Sequence, residues 1–190
     1  RDPVNSYITH LVVRSVDTGR TRELRPNLLE FNFPRWSPDG RSFVVRGRDM
    51  KGRQGIYRVD AQTAKVSLIV QTPLGESFSN PVWAPDGNRI FYKRFVAGGK
   101  GAAIIERDVA SGTERELFRG KARVLLGLSV APYGQYVAFH TSDPATQESI
   151  ALVVPVAGGE PREYLRVQAP QALTGNFPTP WTRDSRSILY

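Results

Sequence analysis

Trp36-Ser37-Pro38-Asp39-Gly40-Arg41 is the stretch from which the rest of the chain can be read. It returns as Trp83-Ala84-Pro85-Asp86-Gly87-Asn88, then in worn form as Val130-Ala131-Pro132-Tyr133-Gly134-Gln135. A fourth copy is Trp181-Thr182-Arg183-Asp184-Ser185-Arg186. The first residues of the copies stand 47, 47 and 51 positions apart. Within each copy Pro presets φ for a turn, Asp accepts backbone hydrogen bonds, and Gly supplies a left-handed residue before the next strand starts.

Strand signals surround each copy. Residues 42–46 alternate, with Phe43 and Val45 on one face and Val44 on the other. Residues 56–60 and 66–70 follow as two further short strands, separated by the turn at 61–65. The same order recurs at 81–84, 89–95, 103–109 and 114–118, and again at 126–131, 136–141, 150–156 and 162–165. Upstream, residues 7–16 and 21–25 read as a hairpin around Asp17-Thr18-Gly19-Arg20, and residues 26–33 as a connection. Downstream, residues 177–190 supply two strands. No segment shows a 3.6-residue apolar period. A fixed period near 47 residues with four strands per unit predicts an all-β protein, a β-propeller of four-stranded antiparallel blades. The units are 33–70, 79–118 and 126–165, and a split blade combines 177–190 with 7–25. That makes about four blade equivalents, starting and ending in mid-blade, in one propeller domain or propeller fragment over residues 1–190. Either the two half-blades meet and close a ring, or the chain is cut from a larger propeller. The end at Ser187-Ile188-Leu189-Tyr190, in mid-strand, favours a cut, and half-blades could also be exchanged in a homodimer.

Composition narrows the chemistry. The 190 residues contain no cysteine, which excludes disulfides, thiolate metal sites and cysteine nucleophiles. No apolar run is long enough for a membrane-spanning helix. The net charge is +8, from 26 Lys and Arg against 18 Asp and Glu, but no basic run is long, which argues against nucleic acid as a partner. His10 and His140 are the only histidines, and no Gly-x-Ser-x-Gly elbow accompanies them. Gly98-Gly99-Lys100-Gly101 lacks the rest of a phosphate loop and reads as a hairpin turn. Asp39 and Asp86 could hold a cation, but one carboxylate per tight turn is the pattern of a backbone acceptor. The sequence therefore calls for no catalytic set, metal or cofactor. Trp36, Trp83 and Trp181 read as aromatic wedges between blades. Arg46, Arg48, Lys51 and Arg53 are expected on the connection after the second strand of one unit, and Lys93, Arg94 and Lys100 on the equivalent connection of the next. Together these would form a positive face suited to an acidic partner or a polyanion, the alternative being ordinary solvated hairpin charge.

The repeat resembles a known family. Pro34-x-Trp36-Ser37-Pro38-Asp39-Gly40-Arg41-x-Phe43, followed by Gly55-Ile56-Tyr57-Arg58-Val59-Asp60, is similar to the PD-type, WD-repeat-like propeller repeat of TolB and its relatives. The second copy keeps Pro81-x-Trp83-Ala84-Pro85-Asp86-Gly87 but its third strand, Ala103-Ile104-Ile105-Glu106-Arg107-Asp108, departs from the tyrosine, the third loses Trp and Asp, and the fourth loses Pro and Gly. The resemblance implies a bacterial propeller, a non-catalytic scaffold binding a protein through loops or a central channel, and a periplasmic or other extracytoplasmic site. Related repeats also serve as substrate-selecting propellers of prolyl-oligopeptidase-type hydrolases and as sensory regions fused to bacterial kinases or regulators. Either role would place the catalytic or signalling chemistry outside this chain.

Overall fold

A computed structural model describes residues 10–96, 98, 101–120, 124–143, 145–171, 173 and 180–189. The described residues form fourteen strands. In chain order these are β1 (Leu11–Arg14), β2 (Thr21–Leu24), β3 (Leu28–Trp36), β4 (Ser42–Asp49), β5 (Gln54–Asp60), β6 (Val66–Gln71) and β7 (Glu76–Trp83). There follow β8 (Arg89–Val96), β9 (Ala102–Asp108), β10 (Glu114–Gly120), β11 (Val124–Val130), β12 (Tyr136–Asp143), β13 (Glu148–Pro155) and β14 (Arg162–Gln168). Three antiparallel sheets of four strands result, ordered β3-β4-β5-β6, β7-β8-β9-β10 and β11-β12-β13-β14, with β1-β2 as a two-stranded sheet. Trp181 and Ile188 form an isolated antiparallel bridge. This is the expected all-β architecture of four-stranded blades. Residues 7–9, 177–179 and Tyr190, assigned to the split blade from the sequence, lie outside the described residues.

The chain divides into two compact units, residues 1–72 and 73–190. In the first, Phe43, Val45, Tyr57 and Val59 project from one face of the β3–β6 sheet and bury against Leu24, with Leu11 and Val13 of β1 packed alongside. In the second, Val82, Phe91 and Ile104 from one blade meet Leu125, Val137, Phe139 and Val154 from the next. Phe118 and Phe139 lie in tilted contact, centroids 4.8 Å apart. Each such side chain removed from water contributes about 1.5–3 kcal/mol, so these interlocking faces are the main cohesive term in each unit.

The repeated hexapeptide sets strand register through the backbone. Gly40 N–H donates to Ser37 O, Gly87 to Ala84 O, Gly134 to Ala131 O and Ser185 to Thr182 O, at 2.7–3.0 Å. The donors all have left-handed φ, including Ser185 at 60°, which replaces glycine in the fourth copy. A second bond closes each blade corner: Ala61 N–H to Arg41 O, Val109 to Asn88 O and Val156 to Gln135 O, each 2.9 Å. The aspartates act as expected. Asp39 Oδ1 accepts the Arg41 N–H at 3.0 Å and the Ser37 hydroxyl at 2.6 Å; Asp86 and Asp184 accept Asn88 and Arg186 N–H groups. The Ser37 hydroxyl, then the Arg41 amide, hold the Asp39 carboxyl below its ordinary range.

Three expectations change. Residues 28–33 belong to β3 and not to a connection. The strand was hidden by a bulge: register shifts between Asn32 and Arg35, and Phe33 has φ 54°. The same break falls at Asn80 in β7 and Gly127 in β11, each 47 residues on. Second, the tryptophans are not equivalent wedges. Trp83 is 8% exposed, but Trp36 is 48% exposed and rests on Phe43, centroids 3.9 Å apart. Within its unit Trp36 shares a cleft of about 280 Å³ with β1, whose sheet is only two strands wide. Third, Trp181 is half-buried, with its indole N–H donating to Ser129 Oγ at 3.1 Å and its ring stacked near Tyr136.

Two stability measurements check this account. Trp83→Ala should cost about 3–5 kcal/mol in urea unfolding and Trp36→Ala less than about 2 kcal/mol. Equal losses would contradict the unequal burial. Gly87→Ala should cost about 1 kcal/mol although nothing lies within 4 Å of the added carbon, because its φ of 72° is strained for any L-side chain.

Candidate functional site

The seven basic residues singled out from the sequence meet different fates. Only Lys51 and Arg53 lie on a turn. Arg46 and Arg48 lie within β4, and Lys93 and Arg94 within β8, because those strands stay paired with β5 and β9 as far as Arg48 and Phe95. Lys100 lies outside the described residues. The two groups belong to different units.

In the first unit the turn after β4 is built on Asp49. Its Oδ1 accepts the backbone N–H groups of Lys51 and Arg53 at 3.0 and 2.9 Å, and its Oδ2 accepts the Arg53 Nε at 2.8 Å. Burial alone would raise the Asp49 carboxyl, but the Arg53 guanidinium and these two amides outweigh it and hold the carboxyl below its usual range. Tyr57, buried in β5, donates its hydroxyl to Arg53 O at 2.7 Å. The turn is thus rigid, and Arg53 is spent in holding it. Arg48 pairs with Glu30 across β3 and β4. Lys51 makes no ion pair among the described residues.

In the second unit Arg94 is also engaged. Its guanidinium meets Glu114 at 2.6 Å and Glu76 at 3.4 Å and lies over the Phe78 ring. Glu114 further accepts Arg107 Nη1 and the Tyr92 hydroxyl, both at 2.7 Å. Lys93 is the sharpest departure from expectation. It is 1% exposed, and its ammonium donates to the backbone carbonyl of Leu125 on β11 at 2.8 Å. Desolvation pushes its pKa down to about 8. Its alternation with Phe91 on β8 puts it on the face that meets the next blade, a placement that strand parity could have disclosed.

His10 lies on the surface of the first unit, 3.7 Å from Glu23, and His140 is buried in β12 of the second. Among the described residues no three of His, Asp and Glu gather as a metal site requires. No helix among them is long and apolar enough to cross a membrane.

One concavity brings two of the seven basic residues, Lys51 and Arg53, together with Arg25 and Lys65, which the sequence did not single out. A groove of about 560 Å³ in the first unit runs along β6, with Arg25, Lys51, Arg53 and Lys65 around exposed Met50 and Leu68. Arg25 pairs with Glu23 at 2.9 Å. Lys65, like Lys51, makes no ion pair among the described residues. Lys65 and Lys51 are 14 positions apart in sequence, so only the pairing of β5 with β6 shows that they share a groove.

Comparison with known proteins fits this geometry. No family model matches the sequence. Over 105 residues, 55% of this chain, it is 28% identical to the uncharacterized peptidase YuxL of Bacillus subtilis strain 168, covering 15% of that protein. Its structure is similar to TolB from Acinetobacter baumannii, with a TM-score of 0.59 and 20% identity over 80% of this chain and 39% of that one. It is also similar to oligogalacturonate lyase from Vibrio parahaemolyticus, with a TM-score of 0.68 and 15% identity over 95% of this chain and 50% of that one. The chain thus spans half or less of the length of each. The fold is that of the TolB-like β-propellers, as the repeat implied. The names attached to these neighbours differ in chemistry, so the shared fold does not carry an activity with it.

Lys93 supplies a test of the site's electrostatics. A lysine whose folded pKa lies near 8, against an ordinary value of 10.5, binds fewer protons folded than unfolded between those limits, so stability rises with pH there. Wild-type protein should gain stability from pH 8 towards pH 10, and Lys93→Met should lack that gain. Equal pH profiles of the two in urea unfolding would show that the amine is not held in a desolvated site. Above that window the buried Tyr92 phenol, pushed up first by burial and then by Glu114, works in the opposite sense in both proteins.

Proposed function

We propose that this chain is a non-catalytic propeller scaffold that binds a protein partner through its loops. The observation that carries the reading is the state of its charged groups. Arg53, Arg94, Arg107 and Glu114 are held in intramolecular pairs that stiffen turns and strand ends, while Lys51 and Lys65 face a groove unpaired. Side chains fixed in this way lose little entropy on association, which favours recognition by a preformed surface. A loop held by rigid sheets is also where binding residues commonly stand.

A second reading has one specific support. The similarity to a protein described as a peptidase, over more than half of this chain, fits a propeller that selects substrates for a hydrolase domain. In that case the surface described above would admit or exclude peptides and would still perform no chemistry itself.

A photo-crosslinking amino acid at position 51, in the protein expressed in its own cells, should capture a discrete partner. That partner, purified, should rebind the chain as a defined complex in sedimentation. Replacing residues 50–53 by glycine and serine should weaken the complex by about tenfold or more. Turnover of ester or peptide substrates by the purified chain, retained through repeated purification, would overturn the non-catalytic reading. For the second reading, the protein containing this chain should cleave short peptides in preference to long ones, and the loop replacement should relax that limit.

A further inference from the structure

We infer that the free edge of β6 is a docking edge for an extended acidic segment of a partner protein, which adds a strand there and sets its carboxylates against Lys65 and Lys51. The inference rests on the partner-binding reading above and assigns it a surface and a ligand chemistry.

The first ground is a contrast among strands in equivalent positions. The last strand in chain order of each sheet, β2, β6, β10 and β14, bonds to one neighbour only among the described residues. An unpaired edge exposes alternate N–H and C=O groups and pairs readily with another chain, so edges are commonly blunted with charge. β2 carries Arg22 and Glu23; β10 carries Glu114, Arg115, Glu116 and Arg119; β14 carries Arg162, Glu163 and Arg166. β6, Val66-Ser67-Leu68-Ile69-Val70-Gln71, carries no charge and no proline. Leu68 in its middle is 38% exposed. All three four-stranded sheets have a bulge in the last pairing, so the bulge does not distinguish β6; the missing charges do.

The second ground is charge placed at both ends of that edge. Lys65 immediately precedes β6. At the other end, Thr72 N–H donates to Gln54 O at 2.8 Å, which brings the turn bearing Lys51 and Arg53 next to the end of β6. The groove along β6 is continuous between these ends, with Leu68 and Met50 exposed in it. Arg53 is neutralised by Asp49, so the unpaired cations are Lys65 and Lys51. Six residues of strand span about 20 Å. An added strand of that length therefore meets cations at its two ends and apolar surface between them. The complementary segment has carboxylates at both ends and aliphatic side chains on the same face between them, its backbone supplying affinity and its side chains selectivity.

The test uses two heptapeptide probes with blocked termini. One has Glu at its first and seventh positions, Val at its third and fifth, and Thr elsewhere; the other has Lys in place of Glu. By fluorescence anisotropy the wild-type chain should bind the Glu peptide at least about tenfold more tightly than the Lys peptide at low salt, and the preference should shrink as salt rises. The double variant Lys51→Glu, Lys65→Glu should reverse the preference, a gain that a misfolded protein could not show. Leu68→Lys should weaken both peptides. Equal binding of the two peptides, or binding of neither below about 1 mM, would sink the inference. A dimer of the purified chain that dissociates on Leu68→Lys, with neither peptide bound, would instead assign the edge to a second copy. If a crosslinked partner binds the charge-reversed variant as well as wild type, partner binding stands and the β6 assignment falls.

Discussion

The blades of this fold depend on one turn hydrogen bond, made four times among the described residues. A residue in left-handed conformation, at positions 40, 87, 134 and 185, returns its N–H to the carbonyl three residues earlier. That bond fixes where the second strand starts relative to the first. Since side chains alternate with a period of two, a slip of one residue would turn Phe43, Val45 and their counterparts out of the core. The turn is therefore what lets each face meet its neighbour. Its tolerance is informative as well. Tyr133 replaces the aspartate in the third copy and Ser185 the glycine in the fourth, yet the bond persists in both. Ser185 also accepts the Tyr133 N–H through its hydroxyl at 3.0 Å, so the two worn copies support each other.

The repeat made the architecture readable because turn chemistry and alternation both leave marks in residue type. Pro, Asp and Gly mark the turn, and Phe43-Val44-Val45 marks the strand. The bulge in the first strand left no such mark. Its positive-φ positions are Phe33, Asn80 and Gly127, three residues with nothing in common but their spacing. Burial of the tryptophans was legible only as a tendency. Trp36 and Trp83 occupy the same position in their copies, but how much of an aromatic ring is covered depends on what lies opposite it, which one repeat cannot state. For the candidate site the same limit is stronger. The basic residues could be counted from the sequence, but whether each was free, paired or buried could not. Asp49 neutralises Arg53 and Glu114 neutralises Arg94 through contacts that are ordinary for surface arginines.

Lys93 shows what the fold accepts in exchange for interlocking blades. A lysine buried beside Phe91, Ile104 and Leu125 costs desolvation, and its ammonium recovers part of that from the Leu125 carbonyl. The bond joins the second strand of one blade to the first strand of the next. Apolar contacts between the same faces are non-directional and would tolerate sliding. A single directed bond between a side chain and a backbone carbonyl does not. The buried charge is thus understood as fixing the relation of two blades, its side chain being almost wholly covered.

The outer strands point the same way about function. A propeller strand at the outside of a blade must resist pairing with other chains, and β10 and β14 do so with charges that also pair internally, Arg119 with Glu116 and Arg166 with Glu163. Such pairs add little stability at an exposed edge, so their value lies in keeping the edge unattractive to strands. β6 has given up that protection while keeping two lysines at its ends. An undefended edge is a liability in any protein that leaves it uncovered. Of the outer strands described β6 alone lacks charge, and its place beside a groove with unpaired lysines is most simply explained if something covers it. Binding chemistry would then have been gained by leaving charges out of a strand, a change that a search for conspicuous residues passes over.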